Sequence, residues 1–172
     1  MKFIGVNEKG MSLIEIMVAM VLFSIGILSL GMFIPYSTKK LVNAGARTTS
    51  VTIAQSIIDE AMTKSFDDNE ASGALQGLVN ITPNDMTNPG SLGPDGVETQ
   101  ATFNDVDDFN GLALDPVPGN NTYAANVVVE YSTAQGDSAS ATATFYKKIS
   151  VTVTPKGGRE PVTMSSVVSF KG

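Results

Sequence analysis

The sequence predicts an α+β protein in which one long amino-terminal helix packs on a carboxy-terminal antiparallel sheet. Three observations carry that expectation. The apolar run from Met11 to Ile34 has Glu15 as its only charged residue, the apolar residues after Pro35 recur at helical offsets, and residues 122–172 contain segments that alternate apolar and polar side chains. At 172 residues the chain has room for one domain of ordinary size together with an anchor.

The elements follow in chain order. Residues 1–10 form a short polar leader, and residues 11–35 form a membrane-length helix. At ~1.5 Å per residue the run reaches roughly 36 Å, enough to cross a hydrocarbon core of about 30 Å with some tilt. It is too long for the apolar part of a secretory signal, and the small-residue stretch Ala44-Gly45-Ala46 lies too far beyond it for signal cleavage. Lys2 and Lys9 precede the span and Lys39, Lys40 and Arg47 follow it, so flanking charge alone does not orient it. The short leader suits a cytoplasmic stub with the bulk of the chain exported. Gly26, Gly31 and Pro35 are the places where the helix is expected to bend or melt. Beyond them Leu41, Ala44, Val51, Ala54, Ile58 and Ala61 share one face, which predicts an amphipathic continuation over residues 36–64.

Residues 65–121 change character, with Gly, Pro, Asn, Asp and Ser in stretches such as ITPNDMTNPGSLGPDG that read as turns and loops. A turn of helix or a strand is expected at Ala74 to Val79, and an extended stretch from Val97 to Phe103. Strands follow over residues 122–172. TYAANVVVEY is rich in Val and Tyr, Ile149, Val151 and Val153 alternate with polar neighbours, and so do Val162, Met164, Val168 and Phe170. PKGGRE between the last two segments is a Gly-rich hairpin connection. The simplest topology is an antiparallel meander with one apolar face, and the amphipathic part of the helix is the element available to cover it.

Composition narrows the function. Without cysteine or histidine the chain has no thiol chemistry, no disulfide framework, and neither the commonest general base nor the commonest transition-metal ligand. No nucleophile motif or phosphate loop stands in their place, so the chain is not expected to be an enzyme. A net charge of −6 argues against a nucleic-acid partner. The charge is unevenly spread: between Ser65 and Asn121 there are ten acidic residues and no Lys or Arg. They are densest in NDVDDFNG, where Asp105, Asp107 and Asp108 meet two amides at a Gly-terminated turn. Calcium takes roughly six to eight oxygen ligands from such groups, although the spacing is not that of an EF-hand. The turn therefore has two readings, a calcium site or a solvated acidic turn that keeps the protein soluble; no other cofactor is expected.

KGMSLIEIMVAMVLFSIG resembles the amino terminus of type IV pilins and of the related type II secretion pseudopilins: a short charged leader ending in Gly, an apolar run, and Glu as the fifth residue after the cut. The resemblance is close over residues 9–36. It implies a pilin-like fold, cleavage by prepilin peptidase between Gly10 and Met11, N-methylation of Met11, and a role for Glu15 in assembly. It also implies other pilin or pseudopilin subunits and an inner-membrane assembly platform as partners. The chain would sit in the inner membrane as a single-pass protein among lipids before assembly, and then in a periplasmic or cell-surface filament. Some minor pilins resemble the acidic stretch too, with DVDD followed by an aromatic, Asn and Gly. Met11 stands where major pilins usually have Phe, and the chain lacks the disulfide-closed loop of many of them, which points away from those major pilins and toward minor pilins or pseudopilins; the chain is most like a minor pilin. A type II secretion pseudopilin is the alternative, and a stand-alone bitopic membrane protein with an external binding domain is a further one.

The resemblance accounts for Glu15, and charge physics agrees. A carboxylate in an apolar run costs several kcal/mol unless paired. When such helices pack with an axial stagger, the carboxylate of one can lie against the terminal ammonium of its neighbour, so that a mis-staggered subunit leaves both charges bare.

Overall fold

The computed structural model describes residues 12–171, so the expectations for Gly10 and Met11 lie outside it. A single helix, α1, runs from Leu13 to Met62. The carbonyl of Ser12 receives the N–H groups of Glu15 at 2.9 Å and Ile16 at 3.2 Å, which closes the first turn. The helix continues through Gly26, Gly31 and Pro35, so the expected melting does not occur. In an apolar run of this length an interrupted helix would strand backbone amides without partners, a larger penalty than the one bond that proline removes. The polar side chains in the run obey the same constraint: the hydroxyls of Ser24, Ser29 and Thr38 donate to the carbonyls of Met20, Ile25 and Ile34 at 2.8–2.9 Å.

The chain divides after Ala44 into two compact units. In the first, large apolar side chains such as Leu13, Phe23, Leu28 and Ile34 are exposed along the helix. In the second, α1 buries Ala46, Ser50, Ala54, Ile57, Ile58 and Ala61, a stripe at offsets of four and three. The expected face was right at Ala54, Ile58 and Ala61. It was wrong at Leu41 and Ala44, which stay exposed, while Val51 is only half-buried. Periodicity identifies a face but does not show where along a helix its cover begins.

The sheet has four antiparallel strands in sequence order: β1, Ala113–Leu114; β2, Tyr123–Tyr131; β3, Tyr146–Pro155; and β4, Val162–Ser169. This is the expected meander. Val127 lies opposite Val151, and Val151 opposite Met164. Ala125, Val127 and Val129 of β2 and Ile149, Val151 and Val153 of β3 bury one face against Ala54, Ile57, Ile58 and Ala61 of α1. The opposite face is polar, with hydroxyl pairs Ser150–Ser165 at 3.0 Å and Thr152–Thr163 at 2.9 Å across the strands. The β3–β4 connection takes positive φ at Gly157 and Gly158, as a tight Gly-rich turn requires.

Residues 65–121 contain one short helix, α2 (Asp68–Ala71), and 3₁₀ turns at Pro83–Asp85, Pro89–Ser91 and Asp107–Phe109. Two expectations fail in this stretch. Residues 74–79 form turns rather than a helix or strand, with Leu75 as the buried anchor. Residues 97–103 are turned rather than extended, because Thr99 and Thr102 close a loop on themselves: Thr102 N–H donates to Thr99 O at 2.7 Å and Thr99 N–H to Thr102 Oγ1 at 2.9 Å. Such local side-chain bonds outcompete extended pairing.

Candidate functional site

The residues singled out in the sequence fall at two places, one in each unit. Glu15 sits in the first turn of α1, exposed among Leu13, Ile14, Ile16 and Met17. Among the described residues no cation pairs with it. This helix is long and apolar enough to cross a membrane by length and composition. A carboxylate in that setting needs a partner supplied from outside the segment.

The second place is a buried ionic cluster that joins the acidic turn to the sheet. Its assembly begins with two loop segments that zip together: Ser65 bridges Asp105, with Ser65 N–H donating to Asn104 O at 3.2 Å and Val106 N–H to Ser65 O at 3.0 Å. That contact sets Asp67 beside Asp107. The turn is held by its own carboxylates. Asp105 Oδ1 accepts from the N–H groups of Asp107 and Asp108 at 2.6 and 3.2 Å, and Asp108 Oδ2 accepts from those of Asn104 and Asp105 at 2.8 and 3.2 Å. Asn110 then ties the turn to β2 by accepting from Val129 N–H at 3.0 Å.

Lys147 of β3 enters this ring of acids. It lies opposite Tyr131 and in phase with Ile149, Val151 and Val153, so the strand delivers its side chain to the interior, where it is fully buried. Its Nζ lies 2.7 Å from Asp67 Oδ2, 2.5 Å from Asp107 Oδ1 and 2.8 Å from the carbonyl of Phe66. It also sits 4.4 Å from the ring centroid of Phe66 and 5.0 Å from that of Tyr131. Asp67 is richly satisfied: besides Lys147 it receives the backbone N–H and hydroxyl of Thr87, the N–H of Asn69, and the Tyr131 hydroxyl at 3.0 Å. Asp107 is not. Both of its oxygens lack a hydrogen-bond partner among the described residues, and the Lys147 contact falls outside hydrogen-bond geometry.

These surroundings separate the acids. Burial pushes the Asp67 carboxyl up, but the Lys147 charge and hydrogen bond, with the amides of Thr87 and Asn69, bring it below the ordinary value. Asp107 is raised by burial to about 6 despite Lys147, and Asp105 is raised by burial, with the charges of Asp107 and Asp108, to about 7. Burial and the neighbouring acids likewise raise Tyr131.

Asp105, Asp107 and Asp108 are thus brought together as the sequence suggested, but as buried groups, which corrects the reading of a solvated turn. Their carboxylates face backbone amides and a lysine. Among the described residues no group of three or more side chains is arranged to hold a metal ion. Lys147, Asp67 and Tyr131 were missed. The signal for Lys147 was its phase, two residues before Ile149 on an alternating strand. Asp67 carries no comparable signal.

A model of the prokaryotic N-terminal methylation motif matches residues 6–31. No curated protein and no solved structure matches the chain significantly. The motif thus lies where a carboxylate enters an apolar helix near its start, and by it the chain carries the amino-terminal methylation signature.

Proposed function

We propose that the protein is a minor pilin: a structural subunit cut after Gly10 by prepilin peptidase, methylated at Met11 and built into a type IV pilus-like filament through its amino-terminal helix. The observation that carries this reading is the methylation motif at residues 6–31 leading into a helix with exposed apolar side chains and, near its start, a Glu15 that no cation among the described residues pairs with. Neighbouring copies of such a helix bury that apolar surface, and a neighbour's terminal ammonium neutralises Glu15. Before assembly the same surface is covered by inner-membrane lipid.

Mass spectrometry of purified surface filaments tests the reading. A subunit beginning at Met11 with one added methyl group is expected, at low abundance relative to the main pilin. A full-length chain in cells with active prepilin peptidase would overturn it. Loss of protein secretion with intact pili on deletion of the gene would instead assign the chain to a secretion pseudopilus.

A further inference from the structure

We propose that Lys147 and Asp107 join through an intramolecular amide bond between Nζ and Cγ, with Asp67 as the neighbouring carboxylate that carries the proton. The reacting groups are already together: Nζ is 2.5 Å from Asp107 Oδ1 and 2.7 Å from Asp67 Oδ2, and all three side chains are at least nine-tenths buried.

The two acids have different parts because they have different partners. Asp67 receives hydrogen bonds from Thr87, Asn69 and Tyr131, which keep it ionised beside the amine, with an oxygen in place to relay a proton. Asp107 has no such set of hydrogen-bond donors among the described residues, and the amine of Lys147 faces it directly. As a neutral acid it offers an electrophilic carbon to that amine. Transfer of one proton from the Lys147 ammonium to the Asp107 carboxylate makes both neutral, and the amine then adds to Cγ, forming the N–C bond as the carbonyl electron pair moves to oxygen. Asp67 takes a proton from nitrogen and returns it to a departing hydroxyl, the C–O bond breaks, and water leaves. One ammonium and one carboxylate become one amide and one water, with no change of oxidation state and no other reactant.

Burial sets the direction. The ion pair keeps two charges out of water at a desolvation cost, whereas the amide is neutral. Phe66 and Tyr131 flank Nζ, and water that could reverse the reaction is excluded from a fully buried lysine. The bond would tie the acidic turn to β3, two segments otherwise joined only by non-covalent contacts. It would hold them together under tension or proteolysis whether or not the subunit is assembled.

The experiment uses the full chain extracted from membranes in detergent, measured by intact mass and by tandem mass spectrometry of tryptic peptides. The expected chain is one water lighter than the sequence between its observed termini, and a branched peptide joins Lys147 to Asp107 with no cleavage after Lys147. Succinimide formation at Asp95-Gly96 would also lose one water, so the branched peptide decides the matter. Lys147→Arg retains a cation and should abolish the branch, and Asp67→Asn should leave a substantial unlinked fraction. Unlinked peptides carrying free Lys147 and free Asp107 from the wild-type chain would overturn the bond, and complete linkage in Asp67→Asn would overturn the role given to Asp67.

Discussion

Lys147 and Glu15 are both charges in apolar surroundings, and each is explained by its partners. Lys147 finds acids within its own chain, whereas Glu15 has no cation among the described residues. Glu15→Gln should therefore insert into the membrane normally but enter filaments poorly in competition with wild type, as measured by the ratio of the two subunits in purified filaments. Equal incorporation would count against a role in register. Asp105 makes a second residue-scale prediction. Its carboxyl is raised from an ordinary 3.8 to about 7, so between those values the folded chain holds a proton that the unfolded chain has lost. The stability associated with Asp105 is present in full below the lower value and is lost as pH rises through the upper one. Asp67 has the opposite sign, and its contribution disappears only in acid, as pH falls below its ordinary 3.8. Thermal melts should thus show stability falling from about pH 4 to about pH 7. Asp105→Asn, which keeps an oxygen to accept from the Asp107 and Asp108 amides, should flatten that slope; an unchanged slope would place the titration elsewhere.

Among the elements, α1 meets two requirements along its length. Its early turns expose large apolar side chains, and its later turns place small ones, Ala54 and Ala61, fully buried in the core with β2 and β3. Small residues at those positions let the helix backbone approach the sheet closely. Ala54→Leu forces extra volume into a filled layer and should cost about 1–3 kcal/mol, read from chemical denaturation of the detergent-solubilised chain. The same change at exposed Thr52 or Gln55 should be nearly neutral. The sheet shows the same division between faces: apolar pairs lie within, and serine and threonine pairs lie outside on β3 and β4.

For the molecule as a whole, the acidic segment is a structural joint as well as a source of net charge. Four of its aspartates, Asp67, Asp105, Asp107 and Asp108, are buried, and the lysine that Asp67 and Asp107 engage comes from the distant strand β3. A calcium ion would have to displace the Lys147 nitrogen and the backbone amides that the carboxylates already engage. Calcium and magnesium at matched ionic strength should therefore move the melting temperature alike, through screening of the remaining exposed acids. A larger response to calcium, lost in an Asp107→Asn, Asp108→Asn double variant, would establish a calcium site after all.

The long helix, the meander and the amino-terminal signature were legible in the residues themselves, because each rests on information local in sequence. An apolar run sets a span, a period of two sets a strand, and the spacing from Gly10 through Met11 to Glu15 marks the motif. The point at which the helix face becomes covered was not legible, since Leu41 and Ala46 differ in what lies opposite them rather than in their local pattern. The turns at 74–79 and 97–103 were misread because their hydrogen bonds come from individual side chains and glycines that leave little periodic trace. The buried cluster lay furthest from view. The acidic turn offered two readings, a calcium site or a solvated turn, and Lys147 drew none of its own. Only the tertiary structure brings residues 67, 107, 131 and 147 together, because pairing of β2 with β3 and of the segment at Ser65 with that at Asp105 closes distances that no local pattern encodes.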